Sequence, residues 1–181
     1  MKRLNFENQN LQGVNFVNRD LREANFKNCN LCGSDFRGSN LSGANIEGAN
    51  LFGCNLENTI LDNIKYDDKT EYFKMRCPTE GAFIGYKKCF NQRLVQLLIP
   101  ADAKRTSATF NSCRCNKAKV LLIKSIDSSQ YFEEATSYVD ENFIYRVGEW
   151  VIAENFNENR WVDSTTGIHF FMIREEAIGY L

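Results

Sequence analysis

A five-residue repeat dominates the first third of the chain. A large apolar residue occupies every fifth position twelve times in succession. These twelve apolar centres are Phe6, Leu11, Phe16, Leu21, Phe26, Leu31, Phe36, Leu41, Ile46, Leu51, Leu56 and Leu61. An α-helix would need a period of about 3.6 residues and a β-strand a period of about 2, so neither element alone explains the pattern. Because an internal repeat determines the architecture of the whole segment that carries it, this period is the strongest constraint on the fold.

The residues around each apolar centre indicate a short strand followed by a corner. The residue two positions after the centre is Gly or Asn in eleven of the twelve repeats, and Glu23 is the exception. Gly and Asn accept a positive φ at low cost, as the third position of a type II turn requires. Since side chains alternate along a strand, the apolar centre and the small residue two positions earlier should point inward together. The Asn or Asp between them should point outward and bond the backbone of the corner.

With these features the repeat resembles the pentapeptide-repeat family, whose repeats read A-[DN]-L-x-x. The stretch ANIEGANLFGCNLEN, residues 44–58, contains three such repeats, and the resemblance covers about residues 4–64. It implies a right-handed quadrilateral β-helix with four repeats in each coil and about three coils. Successive coils would then pair through backbone hydrogen bonds about 4.8 Å apart.

The N-terminal end of this β-helix is the site at which we expect self-association. Only three residues precede the first repeat, so the edge of the first coil should be open, with Phe6 and Phe16 exposed. An open sheet edge is a template for pairing with another chain. The expected product is a homodimer in which two first coils meet about a two-fold axis. The alternative is a monomer in which Lys2, Arg3 and Arg19 keep that edge solvated.

The repeat fails after Asn63, and a second domain of different character follows. We predict a repeat domain over residues 1–66 and an α+β domain with an antiparallel sheet over 67–181, of which 67–76 form a connecting segment. β-Branched and aromatic residues at alternating positions mark the strands. Strands are predicted at Ala82–Cys89, Arg93–Ile99, Ala118–Ser125, Phe143–Val147, Trp150–Asn155 and Gly167–Ile173. Helices are predicted at Tyr131–Tyr138 and Arg174–Tyr180.

The second half also resembles a known kind of domain. The segments CPTEGAFIGYKKC, LIPADAKRTSAT, CRCNKAKVL, NENRW and GIHFFMIREEA look like the uncharacterised C-terminal domain that follows pentapeptide repeats in some bacterial and phage proteins. The resemblance spans nearly all of residues 77–181. It implies a domain family and no activity.

The charge balance argues against DNA mimicry. Some pentapeptide-repeat proteins imitate DNA with an acidic surface and bind type II topoisomerases, which requires a dense negative field. Residues 1–64 contain six Lys or Arg and seven Asp or Glu, and the remainder contains sixteen of each.

The N-terminus MKRLNFENQN lacks the apolar segment of a signal peptide, and the apolar run LVQLLI is too short to cross a membrane. The sequence therefore predicts a cytoplasmic protein that is not a DNA mimic.

Cysteine and histidine supply the candidate chemistry of the second domain. A zinc site could use four thiolates, from Cys77, Cys89, Cys113 and Cys115. Zinc sites more often contain C-x₂-C pairs, whereas the spacings here are C-x₁₁-C and C-x-C, so we expect free thiols and no metal. His169, the single histidine, could be a general base, but no nucleophile and orienting carboxylate are recognisable near it. No catalytic set and no cofactor are predicted.

Charge is unevenly distributed in the second domain. Between Lys87 and Lys124 there are nine Lys or Arg against one Asp, and from Ser125 onward three Arg against eleven Asp or Glu. One interpretation is that two complementary faces neutralise each other in the folded domain. The other is a surface that binds an anion or a partner, formed by Lys104, Arg105, Arg114 and Lys117.

Taken together, these patterns predict a non-enzymatic binding or scaffold protein whose β-helix presents an α+β domain to a macromolecular partner, most simply another protein. The repeat motif is complete, whereas no complete catalytic motif is recognisable, and this difference favours a binding or scaffold protein. Two alternatives stay open. One is an enzyme with its site in the second domain, and the other is an effector of nucleic acid or topoisomerase.

Overall fold

The computed structural model describes residues 3–180, and these residues are mainly β with one short helix. Met1, Lys2 and Leu181 lie outside the described residues, and with them the expected role of Lys2 at the first coil. The chain divides into two compact units. Unit 1 comprises Met1–Met75, Ala108–Phe110 and Arg160–Asp163, and unit 2 comprises Arg76–Ser107, Asn111–Asn159 and Ser164–Leu181.

In unit 1, residues twenty positions apart lie side by side. Parallel bridges join Asn5 to Asn25 and Asn25 to Asn45, and the same spacing recurs along the repeats. Four repeats therefore make one coil of the stack. The pairing continues beyond the last repeat, because Asn50 pairs with Glu71.

The corners of the coils have the predicted backbone geometry. φ is positive at every residue two positions after an apolar centre, and its values lie between 53° at Asn63 and 70° at Gly13. Glu23, which is neither Gly nor Asn, adopts a φ of 57° like the others. The backbone N–H of Gln9 donates to the carbonyl of Phe6 at 3.1 Å and closes the first turn. The prediction of one corner every five residues is confirmed.

The small inward residues connect each coil to its neighbour. The Ser34 hydroxyl donates to the Leu11 carbonyl at 2.7 Å, and the Cys54 thiol donates to the Leu31 carbonyl at 2.8 Å. Cys29 makes the same kind of bond. Because a thiol here replaces a hydroxyl in the same bond, Cys29 and Cys54 have a structural role in the repeat core.

Phenylalanine rings fill the interior of the first two coils. Phe6 stacks on Phe26 and Phe16 stacks on Phe36, each pair with ring centroids 4.9 Å apart. Phe16 is only 8% exposed, so the expectation that its ring is exposed is wrong. The rings of the second coil and of Phe6 cover it. Phe6 itself is half-buried.

Unit 2 is built on a seven-stranded sheet with a separate hairpin. Its elements are β1 (Phe83–Cys89), β2 (Arg93–Ile99), β3 (Arg105–Thr106), β4 (Ser112–Cys115), β5 (Lys117–Ser125), β6 (Glu134–Thr136), β7 (Ile144–Arg146), β8 (Trp150–Ile152), β9 (Ile168–Phe171) and α1 (Arg174–Gly179). The sheet order is β3-β4-β9-β1-β2-β5-β8, and its pairs are antiparallel. The antiparallel sheet predicted from the sequence is confirmed.

One predicted element is wrong and three strands were not predicted. The segment Tyr131–Tyr138 contains no helix, because its centre is β6, which pairs antiparallel with β7. Strands β3, β4 and β6 were missed. The terminal helix α1 begins at Arg174, as predicted, and carries Glu175 and Glu176 in its first turn, where carboxylates interact favourably with the helix dipole.

Candidate functional site

The four basic residues predicted to bind an anion do not present four free charges. Lys104 pairs with Glu158, and Lys117 pairs with Asp102 at 2.6 Å. The Arg105 guanidinium donates to backbone carbonyls instead, those of Pro78, Gly81, Pro100, Ala101 and Ala103. Its role in the described structure is therefore to hold chain segments together.

Arg114 is the most deeply buried of the four. It lies in β4 and is 2% exposed. Its guanidinium donates to the carbonyls of Asn157, Thr166 and Asn159 at 3.0, 2.9 and 3.1 Å. Because the charge is enclosed by backbone oxygens, Arg114 is not available to an external anion, which corrects its assignment to the anion surface.

The chain around Arg114 is fitted to that side chain. Gly167, directly before β9, adopts a φ of 140°, which L residues rarely adopt. A Cβ at this position would lie 3.0 Å from the Phe156 ring and 3.4 Å from Cβ of Arg114. The Phe156 ring in turn lies 5.6 Å from the guanidinium carbon. Glycine is therefore favoured at this position for two reasons: the positive φ, and the lack of space for a Cβ atom.

Unit 2 brings the four predicted cysteines into one buried neighbourhood with a lysine and a tyrosine. We call this group the thiol–lysine cluster: Cys77, Lys87, Cys89, Cys113, Cys115 and Tyr145. Every thiol in it is at most 2% exposed, and each member is close enough to at least one other to influence its ionisation. Within residues 3–180, no three His, Cys, Asp or Glu side chains are arranged to hold a metal ion.

Two thiols of the cluster are in contact. The side chains of Cys77 and Cys113 are hydrogen bonded, and this bond, together with burial, raises the pKa of Cys113 far above its usual value. An ion pair between Arg76 and Glu176 lies beside them. In that pair the Arg76 Nε and Glu176 Oε2 atoms are buried without a hydrogen-bond partner.

The other two thiols lie near Lys87. Burial raises the pKa of Cys89 and of Cys115 to about 12, so both are neutral thiols at physiological pH. Tyr145, fully enclosed, also has a pKa raised well above its usual value by burial. Burial has the opposite effect on Lys87, whose pKa it lowers, because it disfavours whichever form carries charge.

Lys87 was not predicted as a site residue. Its sequence signal is weak but present: in the segment GYKKC it alternates with Gly85 and Cys89, so all three share one face of β1. That face is buried, whereas the neighbouring Lys88 reaches the carbonyls of Ile178 and Tyr180 on the other face.

His169 lies in β9, opposite Arg114 of β4, and is half-buried. Its strand neighbours Ile168 and Phe170 are buried in the core. His169 therefore belongs to a strand that pairs with β4 on one side and β1 on the other, and no catalytic role is assigned to it.

On unit 1 the outward residues form four faces that differ in charge. Each of three faces carries charged side chains, such as the Lys27–Glu47, Arg37–Asp35 and Arg22–Asp20 pairs. The fourth, which we call the amide face, carries none within the repeats and consists of Asn10, Gln12, Asn30, Cys32, Asn50 and Phe52. Beyond the last repeat, the exposed Glu71 pairs with Asn50 at the end of this face.

The amide face is ordered by its own hydrogen bonds. The Asn30 side chain donates to that of Asn10 at 3.0 Å, and its oxygen accepts from the backbone N–H of Cys32 at 3.1 Å. Phe52 lies at one end, 39% exposed, and its ring contacts that of Tyr72 with centroids 5.0 Å apart. The result is a pre-organised surface that carries no charge within the repeats and has an exposed aromatic ring at the end next to Glu71.

A shallow cleft of about 310 Å³ lies on a neighbouring face, lined by Arg3, Asn5, Asn25 and Asn45. Its polar groups are already engaged. Arg3 donates to the Glu23 carbonyl at 2.5 Å, and Asn25 donates to the Asn5 side chain at 3.0 Å. The cleft therefore offers fewer unused hydrogen-bonding groups than its polar lining suggests.

Two family models match different segments of the chain. The family model for pentapeptide repeats matches residues 1–38 and 20–58, so the N-terminal part is a pentapeptide-repeat region. The model of a family of unknown function, DUF5758, matches residues 73–177, which is more than half of the chain. The chain belongs to this family.

Solved structures that resemble part of the chain include that of a pentapeptide repeat protein. It is the crystal structure of Rfr23 from the cyanobacterium Cyanothece 51142, with 38% sequence identity and a TM-score of 0.23. The match covers 36% of this chain and 48% of the Rfr23 chain, so it spans about half of the length of Rfr23. No curated protein matches the chain. Among residues 3–180 there is no helix long and apolar enough to cross a membrane.

Proposed function

We propose that this chain is a cytoplasmic, non-enzymatic binding protein that docks a protein partner on the amide face. In this proposal residues 1–66 form a right-handed quadrilateral β-helix, and residues 67–181 form an α+β domain that the β-helix presents. The observation that carries the proposal is that one face of the repeat region lacks charge while each of the other three carries it.

Desolvation explains why an uncharged face suits a protein partner. Burying an ionised side chain in an interface costs much more than burying an amide that keeps its hydrogen bonds. The centres of protein interfaces are accordingly depleted in charge and enriched in aromatic residues. The amide face meets both conditions within the repeats, since it carries no charged side chain there and Phe52 provides an exposed ring. One of its amides, Asn30, is already hydrogen bonded to Asn10 along the stack.

Mixed charge on the other faces argues against a DNA-binding enzyme, such as a topoisomerase, as the partner. Lys27 lies between Glu7 and Glu47 in one column, and the Arg37–Asp35 pair interrupts another. Such alternation cancels the extended negative field that a DNA mimic presents.

The test is a charge placed on the amide face. Cys32→Arg should remove partners that the wild-type protein recovers from a lysate of its host, because an unpaired guanidinium would be buried in the interface. Ser42→Arg is the matched control, since Ser42 follows Leu41 as Cys32 follows Leu31 and is also half-buried, but on a charged face. Bound proteins would be quantified by mass spectrometry. Equal recovery by both variants would contradict the proposal.

We also propose that the first coil mediates self-association. Asn25 forms bridges to two neighbouring coils, whereas among the described residues Asn5 forms a bridge only to Asn25. A strand paired on one side only can recruit another chain. Light scattering should show a mass that rises toward a dimer with concentration, and Phe6→Glu should keep the protein monomeric while Ser42→Glu does not. A wild-type mass that stays monomeric at high concentration would refute the dimer.

A further inference from the structure

Strand β8 forms one edge of the seven-stranded sheet of unit 2. It pairs with β5 on one side and, among the described residues, with no strand on the other. Trp150 and Ile152 of β8 are 51% and 59% exposed, whereas Val151 between them is buried. Proteins commonly protect such an edge with lysine, proline or a covering segment. β8 instead presents two large apolar side chains at a position where a sheet can be extended.

The backbone of β8 has an open side as well. In an antiparallel pair, successive residues direct their N–H and C=O groups alternately toward the partner strand and away from it. The Val120 N–H of β5 donates to the Glu149 carbonyl at 2.9 Å, so Glu149 directs its carbonyl toward β5. By alternation, the N–H and C=O groups of Trp150 and Ile152 point to the open side. Within residues 3–180, no backbone hydrogen bond outside the β5–β8 ladder reaches these groups.

Two exposed glutamates flank the open edge. Glu149 lies directly before β8, and Glu154 lies two residues after it. Neither forms an ion pair within the described part of the chain. Lys117 and Lys119 belong to β5, on the closed side of β8, and Lys117 already pairs with Asp102. An added strand would therefore meet negative charge near both of its ends.

We propose that β8 binds an extended segment of another protein by antiparallel strand addition. The segment has apolar side chains opposite Trp150 and Ile152 and basic side chains opposite Glu149 and Glu154. Its two apolar residues exchange backbone hydrogen bonds with the outward N–H and C=O groups of Trp150 and Ile152, so the affinity comes from the main chain and the specificity from alternate side chains. Apolar pairs and pairs of opposite charge directly across a ladder both stabilise it.

The flanking charges favour such a segment over a second copy of this chain. Two β8 strands paired about a two-fold axis would bring four glutamates, Glu149 and Glu154 from each copy, to one short ladder, which like-charge repulsion disfavours. The inference is independent of the proposed docking function, because β8 belongs to unit 2 and the amide face to unit 1. It adds a partner class to a domain whose family has no assigned function.

A short synthetic peptide tests strand addition on the full chain. The probe is an acetylated and amidated hexapeptide of lysine, threonine, valine, threonine, valine and lysine, in this order. In an NMR titration of the ¹⁵N-labelled protein, it should shift the amide resonances of Trp150 and Ile152 and slow their hydrogen exchange. The same peptide with both valines N-methylated keeps its side chains but cannot donate from these positions. It should bind at least about tenfold more weakly, because backbone hydrogen bonds are lost.

Three results would overturn the proposal. The first is the absence of a saturable shift at Trp150 and Ile152 with millimolar peptide, in which case Glu149 and Glu154 only protect the edge. The second is equal binding of the two peptides, which would indicate a hydrophobic contact without strand addition. The third is slow exchange of these two amides in the peptide-free protein that increases with protein concentration, since a second copy would then occupy β8.

A charge reversal tests the basic character of the partner. Glu149→Lys combined with Glu154→Lys should weaken binding of the lysine-ended peptide about threefold or more and strengthen binding of an otherwise identical glutamate-ended peptide. The matched control combines Glu80→Lys with Glu141→Lys, which changes the net charge equally at exposed positions of unit 2 outside β8. The control should keep the wild-type preference. If it loses that preference to the same extent, the preference reflects net charge alone and a basic partner is refuted.

Discussion

Replacing Leu31 with glutamate is expected to destabilise the repeat region by about 5 kcal/mol, enough to unfold many domains of this size. Leu31 is 1% exposed and belongs to the core that also contains Leu51. The substitution removes a packed side chain and places a carboxylate between coils, where no described group could pair with it. Urea unfolding followed by circular dichroism would measure the loss.

Ser42→Glu is the control for this change. Ser42 is half-buried on the outer surface, where its hydroxyl donates to Asn40, so a glutamate there should change the free energy of unfolding by no more than about 0.5 kcal/mol. Similar unfolding curves for the two variants would show that the inward and outward assignments are incorrect. Leu51→Glu should behave like Leu31→Glu, since Leu51 occupies the same column one coil further on.

Removing the Arg114 guanidinium should be the most damaging single change in unit 2. Arg114→Met preserves most of the side-chain length but leaves three carbonyls, those of Asn157, Asn159 and Thr166, without their charged donor. Leaving buried acceptors unpaired costs about 1–3 kcal/mol each, so a total loss of about 3–5 kcal/mol is expected after relaxation. Thermal unfolding would report it.

Two further variants sharpen the test of Arg114. Arg114→Lys should recover only part of the stability, because an ammonium cannot reach three carbonyls with the planar geometry of a guanidinium. Arg146→Met removes an exposed arginine that pairs with Glu134, and should cost less than about 1 kcal/mol. If Arg114→Met and Arg146→Met lowered stability equally, the carbonyl contacts would not be the source of the effect.

The repeat region could be predicted in detail because its signal is local and recurs. Each five-residue unit specifies its own corner, so even Glu23, which departs from the consensus, adopts the shared φ. Strands β1, β2 and β5 were also predictable, since each has seven or more residues and is rich in aromatic, β-branched or other apolar side chains. In these segments local preference and tertiary structure agree.

Where the sequence prediction failed, tertiary contacts decide the structure. The residues EEA within Tyr131–Tyr138 favour a helix locally, yet Glu134–Thr136 pairs with β7. Strand β4 is only four residues long, and it is buried at all four, whereas the alternation of its sequence SCRC would predict one exposed face. Lys87 and Arg114 were not recognised as buried because long cations are normally exposed, and their burial depends on strands distant in the sequence.

The twenty-residue pairing of unit 1 limits how such a gene can change in length. Loss or gain of one five-residue unit would preserve every corner, but each later unit would move to the adjacent face, so that charged columns would replace the amide face. A change of twenty residues would instead lengthen or shorten all four faces together, since Asn5, Asn25 and Asn45 occupy one column. The surface can therefore be lengthened with its charge pattern preserved only by insertions of a whole coil of twenty residues.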